Sequence, residues 1–303
     1  MGRASMAKQD GDRRTRIAAQ RAAAQRAQRL TRLLIAGGAI VVVVVIVLAF
    51  VVFGGHASSG GKAPTAPTGS TLAQTISKVT TVPVSTSDAV GTGNVTSPPT
   101  SISGPPLTSG GKPEMLYLGA EYCPYCAAER WAMVVALSRF GTFTGLQTTH
   151  SAAADGAGNA EPFPNTATWT FAHSTYTSKY LTFTPVEMNT NIPDKATGSY
   201  TTLQTPTKAQ QDLIDKYDAA DQGAIPFVDF GNKYVSIGAS YDPGVLSGLT
   251  WSQIATDLHD PNSAVAKSVL GAANYLTAAI CGTTHNQPAD VCTPTVKGIQ
   301  AKI

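Results

Sequence analysis

The sequence is short of the residues that hold ions and nucleotides. It carries five histidines and four cysteines in 303 residues. His56, His150, His173, His259 and His285 show no metal-ligand spacing, such as a helical pair four apart. Cys123 and Cys126 lie far from Cys281 and Cys292, which are themselves widely spaced, whereas a tetrathiolate zinc site combines two close pairs. Gly91-Thr92-Gly93 and Gly156-Ala157-Gly158 lack the third glycine and the strand-to-helix setting of a dinucleotide fingerprint. The basic stretch from Arg13 to Arg32 has no aromatic residue to stack a base, so membrane topology and anionic lipid account for it better than nucleic acid. No metal, organic cofactor or nucleic-acid partner is expected.

Charge and hydropathy are distributed unevenly. The net charge of +3 hides a basic start: Arg3, Lys8, Arg13, Arg14, Arg16, Arg21, Arg26, Arg29 and Arg32 stand against Asp10 and Asp12. Leu33 to Phe53 follows, apolar and uncharged over about the 20 residues that a bilayer crossing needs. Its apolar core exceeds the roughly 7–15 residues of a signal peptide, so an uncleaved anchor is expected. Positive charge beside a span stays cytoplasmic. The expected layout is therefore a basic cytoplasmic tail (1–32), a transmembrane helix (33–53) and a Gly/Ser/Thr/Pro-rich linker (54–111). An extracytoplasmic domain (112–281) and a C-terminal tail (282–303) follow. The protein would sit in the cell membrane as a single-pass chain in contact with the lipid bilayer. Within the linker, Leu72, Ile76 and Val79 fall at helical spacing, so residues 71–90 either dock on the domain or continue the spacer.

The domain opens on its most informative feature. An apolar strand-like run from Met115 to Leu118 leads to Cys123-Pro124-Tyr125-Cys126 and then to a long apolar helical run ending near Phe140. Two thiols thus open a helix at a strand's end. Helix N-terminal amides and their dipole stabilise a thiolate, the species that attacks a disulfide. Cys123 is the expected nucleophile, and Cys126, within one turn, the thiol that resolves the mixed disulfide. A bridge across so short a loop constrains the unfolded chain little, which argues against a static disulfide. Cys281 ends a helix, where the dipole raises a thiol pKa, and a structural bridge to Cys292 is expected there.

The remaining periodicities complete an α/β pattern. A second strand is expected near Leu146 to Thr149, then a loop from Ser151 to Asn165, with added strands at Thr168 to Phe171 and Tyr180 to Met188. A helix should run from about Thr207 to Asp221. Ile225-Pro226 opens a strand that Gly231-Asn232 turns into a hairpin with Lys233 to Ile237. Asp260 is placed to cap a last helix, with Pro261 at its first position.

Strand, Cys-x-x-Cys, helix, strand, helix, Ile-Pro strand, hairpin and final helix together resemble the thioredoxin superfamily. Ala120-Glu121-Tyr122-Cys123 is similar to the lead-in of thioredoxins, and Pro124-Tyr125 is the glutaredoxin dipeptide. More closely, Gly119 to Trp131, followed by Ala136 to Gly141, resembles the membrane-anchored family known as domain of unknown function nine-two-nine. The thioredoxin resemblance implies a mixed sheet flanked by helices, with an insertion between the dithiol helix and the Pro226 strand. It also implies a cis Ile225–Pro226 bond beside the dithiol, leaving the Ile225 backbone free to pair with an extended substrate. Tyr117 stands where thioredoxins place a buried acid, so the proton acceptor is open: Glu121 and Glu129 are candidates by proximity, and Glu129 reads equally as a solvated helix residue.

The function expected is thiol–disulfide exchange with extracytoplasmic protein thiols or disulfides, the dithiol serving as a redox-active disulfide recharged by a separate redox partner. Pro124, Tyr125, Ile225, Pro226, Glu121 and Glu129 would support Cys123 and Cys126. The rival reading is a binding or scaffolding module of the cell envelope that keeps the fold without the chemistry.

Overall fold

A computed structural model of the protein describes residues 62–218 and 223–303. The frame is a sheet built on β3 (Lys112–Gly119), whose Met115 and Tyr117 face one core while Leu116 and Leu118 face the other. This alternation follows from the two-residue period of a strand. On one side β3 pairs in parallel with β8 (Thr182–Glu187), and on the other it pairs antiparallel with β11 (Phe227–Phe230). A tight hairpin joins β11 to β12 (Tyr234–Ile237), which takes β1 (Thr100–Ser101) at its outer edge. The short β2 (Thr108–Ser109) pairs with the start of β3. The order β8-β3-β11-β12, with one parallel pair and one hairpin, is compatible with a thioredoxin-like architecture.

Helices cover this sheet. α3 (Pro124–Ser138) follows β3, and nearly all of it is buried, including both charged residues, Glu129 and Arg130. A helix that is apolar around most of its circumference belongs in an interior. It lies against α6 (Ala264–Thr283), β6 (Ala167–Thr170) and α1 (Gly69–Thr80). α4 (Lys208–Tyr217) begins at Thr207, whose side chain forms a reciprocal capping box with Gln210. The expected continuation of this helix to Asp221 reaches beyond the described residues. α6 is capped by Ser263, three residues later than Asp260, because Asp260 instead closes the turn that precedes it by accepting the Asn262 amide.

Residues before β3 are built into the fold. α1 packs on α3 and on α5 (Trp251–Asp257), and α2 (Val84–Val90) packs on α6. Arg139 fixes this contact, donating to Ser87 Oγ at 2.8 Å and to Asn274 Oδ1 at 3.0 Å. Gly93 makes it possible. Its φ is +51°, and a Cβ there would fall 1.9 Å from the Lys267 carbonyl oxygen of α6.

Two expectations are corrected. The second strand of the β-α-β unit is β8, not the segment near Leu146. β5 (Gln147–His150) instead pairs antiparallel with β6 in a separate ribbon, and β4 (Gly141–Thr144) with β7 (Thr175–Ser178) in another. Gln147-Thr148-Thr149-His150 has no apolar face to bury, whereas β8 carries Phe183 and Val186 into the two cores. The order of membrane span and domain is also corrected. Leu33–Phe53 lies outside the described residues. Among the described residues the one helix long and apolar enough to cross a membrane is α6, and it follows the α/β elements instead of preceding them. That order is opposite to an anchor leading into an extracytoplasmic domain with a cytoplasmic N-terminus. Within the fold, 83% of the apolar window of α6 is buried, because the helix supplies core side chains against α3.

Candidate functional site

The site forms where β3 ends and α3 begins. Cys123 is the N-cap of α3 with extended backbone, and Pro124 occupies the first turn, where a missing N–H costs nothing. Cys123 Sγ accepts the Cys126 amide at 3.3 Å and faces the Ile225 carbonyl oxygen at 3.7 Å. Both cysteines are free thiols; Cys123 shows 4% of its surface and Cys126 none. Ile225–Pro226 is a cis bond, and Pro226 is buried at the start of β11. The fold thus brings Cys123, Pro124, Cys126, Ile225 and Pro226 together.

The two thiols are displaced in opposite directions. Burial raises the Cys123 pKa, but hydrogen bonds from Cys126 and the Tyr125 amide, with the Arg130 guanidinium, outweigh it, and the net direction is down. Cys126 goes well up, first through burial and then through its hydrogen bond and proximity to Cys123. The surroundings thus favour ionisation of Cys123 and disfavour ionisation of Cys126.

The glutamates divide differently from expectation. Glu129 is fully buried, not solvated: Oε2 accepts the Ser240 amide and Oε1 the Ser240 hydroxyl, each at 2.9 Å. Burial pushes its pKa up to about 7 against those two bonds. Both of its oxygens are thus directed at the segment after β12. Glu121 is half-buried, and its backbone amide donates to the Asn189 carbonyl of β9 (Asn189–Asp194) at 2.9 Å. It ties the dithiol loop to that strand.

Aromatic residues rim the thiols. Tyr125, 40% exposed, meets Phe163 edge-on with ring centroids 6.1 Å apart. Tyr122 stacks on Tyr200 of β10 (Ser199–Thr202) at 4.0 Å, and Tyr200 donates its hydroxyl to Glu161 at 2.6 Å. Phe163 and Glu161 come from the loop between β5 and β6, and Tyr200 from the β9–β10 hairpin, so the insertion reaches the dithiol from two places.

A buried ion pair underlies the site, and the sequence reading missed it. Arg130 Nε and Nη2 donate to Glu187 Oε1 and Oε2 at 2.9 and 2.6 Å, and neither residue is exposed. Such a pair is tolerated in an interior only with close geometry and further hydrogen bonds. Glu187 Oε1 also accepts the Phe171 amide at 3.3 Å. The available signal was a Glu-Arg dipeptide inside an otherwise apolar helix.

Far from the thiols in sequence, Cys281 near the end of α6 is bonded to Cys292, just before α7 (Pro294–Gln300). Among the described residues no cluster of three or more His, Cys, Asp or Glu could hold a metal ion.

A thioredoxin-like fold whose first core helix opens on a closely spaced cysteine pair defines the class of this protein. The chain belongs to the family described as domain of unknown function DUF929, whose model matches residues 98–282. That match runs from just before β1 almost to the end of α6, covering the dithiol, the ion pair and the cis-proline strand. No curated protein and no solved structure matches the chain.

Proposed function

We propose that the protein is a thiol–disulfide oxidoreductase in which Cys123 attacks and Cys126 resolves. The observation that carries this reading is the placement of Cys123 at the N-cap of α3, its Sγ accepting the Cys126 amide at 3.3 Å beside the cis Ile225–Pro226 bond, with Cys126 buried behind it. Cys123 is lowered by the amides and charge around it, and Cys126 is raised by burial behind it. Ionised Cys123 attacks a substrate disulfide, breaking its S–S bond, expelling one substrate thiol and leaving a mixed disulfide on Cys123. Cys126 then attacks Cys123 Sγ, which releases the second substrate thiol and closes the Cys123–Cys126 disulfide. Run in reverse, the same steps oxidise a dithiol.

Tyr125, Phe163, Tyr122 and Tyr200 surround the attacked sulfur with ring faces and edges, which suits a polypeptide substrate.

The test is a redox titration of the full chain in defined thiol buffers, with alkylated Cys123 and Cys126 counted by mass. A potential of about −120 to −270 mV, the range of exchange catalysts, is the expected result. A value below about −300 mV defines a static bridge and defeats the proposal.

A further inference from the structure

Beneath the dithiol lies a charge that favours ionisation of Cys123 and has a second use at Cys126. Arg130 follows Cys126 by four residues, one turn along the same face of α3. Its Nη2, besides holding Glu187, donates at 2.7 Å to the Ala120 carbonyl, which also accepts the Cys123 amide at 3.3 Å. The guanidinium is thus lodged under the dithiol loop. Its remaining nitrogen, Nη1, is buried without a hydrogen-bond partner, and so is the Tyr117 hydroxyl. The Arg130 Cζ lies 5.8 Å from the Tyr117 ring centroid. Tyr117 also reaches toward the thiols: a Cβ on Gly119 would fall 2.0 Å from its hydroxyl, so the phenol extends along β3 over Gly119 toward the loop. Two fully buried donors without acceptors are costly unless an acceptor arises.

We propose that Arg130, together with the Tyr117 phenol, is a positioning pair for the resolving step, stabilising the Cys126 thiolate so that no carboxylate base is needed. The inference rests on the exchange reading. Cys126 lies among Cys123 at the N-cap, Arg130 on its own helix and Tyr117 from β3, and Glu187 from β8 stands behind Arg130 as its ion-pair partner. Among these no free base remains. Glu187 is held by Arg130 and the Phe171 amide, the guanidinium is permanently protonated, and Glu129 is turned to Ser240. In the step, Cys126 Sγ loses its proton and attacks Cys123 Sγ of the mixed disulfide. The Cys126 proton passes to solvent, the bond from Cys123 to substrate sulfur breaks, the Cys123–Cys126 bond forms, and the substrate leaves as a thiolate that stays ionised or takes a proton from solvent according to its own pKa. Sulfur oxidation states balance, and no outside oxidant enters.

The experiment is stopped-flow reaction of the reduced full chain with an aromatic disulfide whose departing thiolate is coloured and stays ionised. The first release reports attack by Cys123, and the second reports resolution by Cys126. Wild type, Tyr117→Phe and the charge-free pair Arg130→Gln/Glu187→Gln are compared across pH. Each unit by which the Cys126 pKa rises cuts its thiolate about tenfold, and greater nucleophilicity returns about threefold, so the second release slows about threefold per unit. The expected result is a second-release midpoint about one pH unit higher in the Gln pair, with a smaller shift in the same direction for Tyr117→Phe. A purely structural role would slow both releases without moving the midpoint. An unmoved midpoint in Tyr117→Phe, or in a folded Gln pair, overturns the inference; where the Gln pair fails to fold, Tyr117→Phe alone decides. A wild-type chain with no second release defeats the exchange reading and this inference with it, an outcome distinct from normal exchange with unmoved midpoints.

Discussion

Replacing Glu129 by Gln should flatten the pH dependence of stability in a defined window. The folded protein keeps this carboxyl in a site that favours its neutral form, with a pKa of about 7 against an ordinary 4.5. The folded state therefore holds a proton that the unfolded state has already lost between those two values. Stability from this group is highest below pH 4.5, falls as pH rises, and levels off above about 7. About 2.5 units at about 1.4 kcal/mol each gives a loss of about 3 kcal/mol across the window. Gln cannot ionise, and its amide can still accept the Ser240 N–H through oxygen and donate to the Ser240 hydroxyl through nitrogen. Urea unfolding at a series of pH values, followed by tryptophan fluorescence, measures the difference directly. Glu129→Gln should match wild type at low pH and exceed it by about 3 kcal/mol at pH 8. A constant difference at every pH would refute the reasoning, because it would show that the carboxyl never changes protonation between pH 4.5 and 8 as the chain folds.

Other consequences follow from single contacts. Gly119→Ala places a methyl where the Tyr117 phenol lies, so a loss of about 1–3 kcal/mol is expected in the same unfolding assay, and wild-type stability would contradict the close approach. Replacing both Cys281 and Cys292 by Ser opens a loop with a sequence separation of 11 and should lower stability by about 3 kcal/mol without changing the Cys123–Cys126 potential. Cys126→Ser leaves attack by Cys123 intact and stops resolution, so mixed disulfides should accumulate on non-reducing gels, whereas Cys123→Ser should give few; equal trapping by both would refute the assigned roles, and more by Cys123→Ser would reverse them.

Local signals carried much of the site. A Cys-Pro-x-Cys run at the junction of an apolar strand and an apolar helix can be read directly, because N-cap geometry and N-terminal proline are local properties. The Ile225–Pro226 strand and its Gly231-Asn232 turn were legible for the same reason. What escaped was pairing across distance. Parallel registration of β3 with β8 depends on which of several short strands offers a matching buried face, and Leu146 to Thr149 looked eligible only by its position in the chain. Charge misled in the helix: Glu129 and Arg130 are adjacent polar residues, a pattern equally consistent with a wet surface. Their burial depends on Ser240 and Glu187, contributed by segments far along the chain. The expected order of anchor and domain rested on Leu33–Phe53, whereas the described membrane-length helix, α6, follows the α/β elements.

Two of the rings around Cys123, Phe163 and Tyr200, come from excursions off the frame, and this separates two kinds of segment. Phe163, Glu161 and Tyr200 belong to a loop and a hairpin that join the dithiol loop through a ring stack and single backbone bonds such as Glu121 to Asn189 and Ala152 to Tyr122. The sulfurs, the cis-proline strand and the ion pair belong to the sheet and its helix. On the exchange reading, partner choice and electron transfer are written on different stretches of chain.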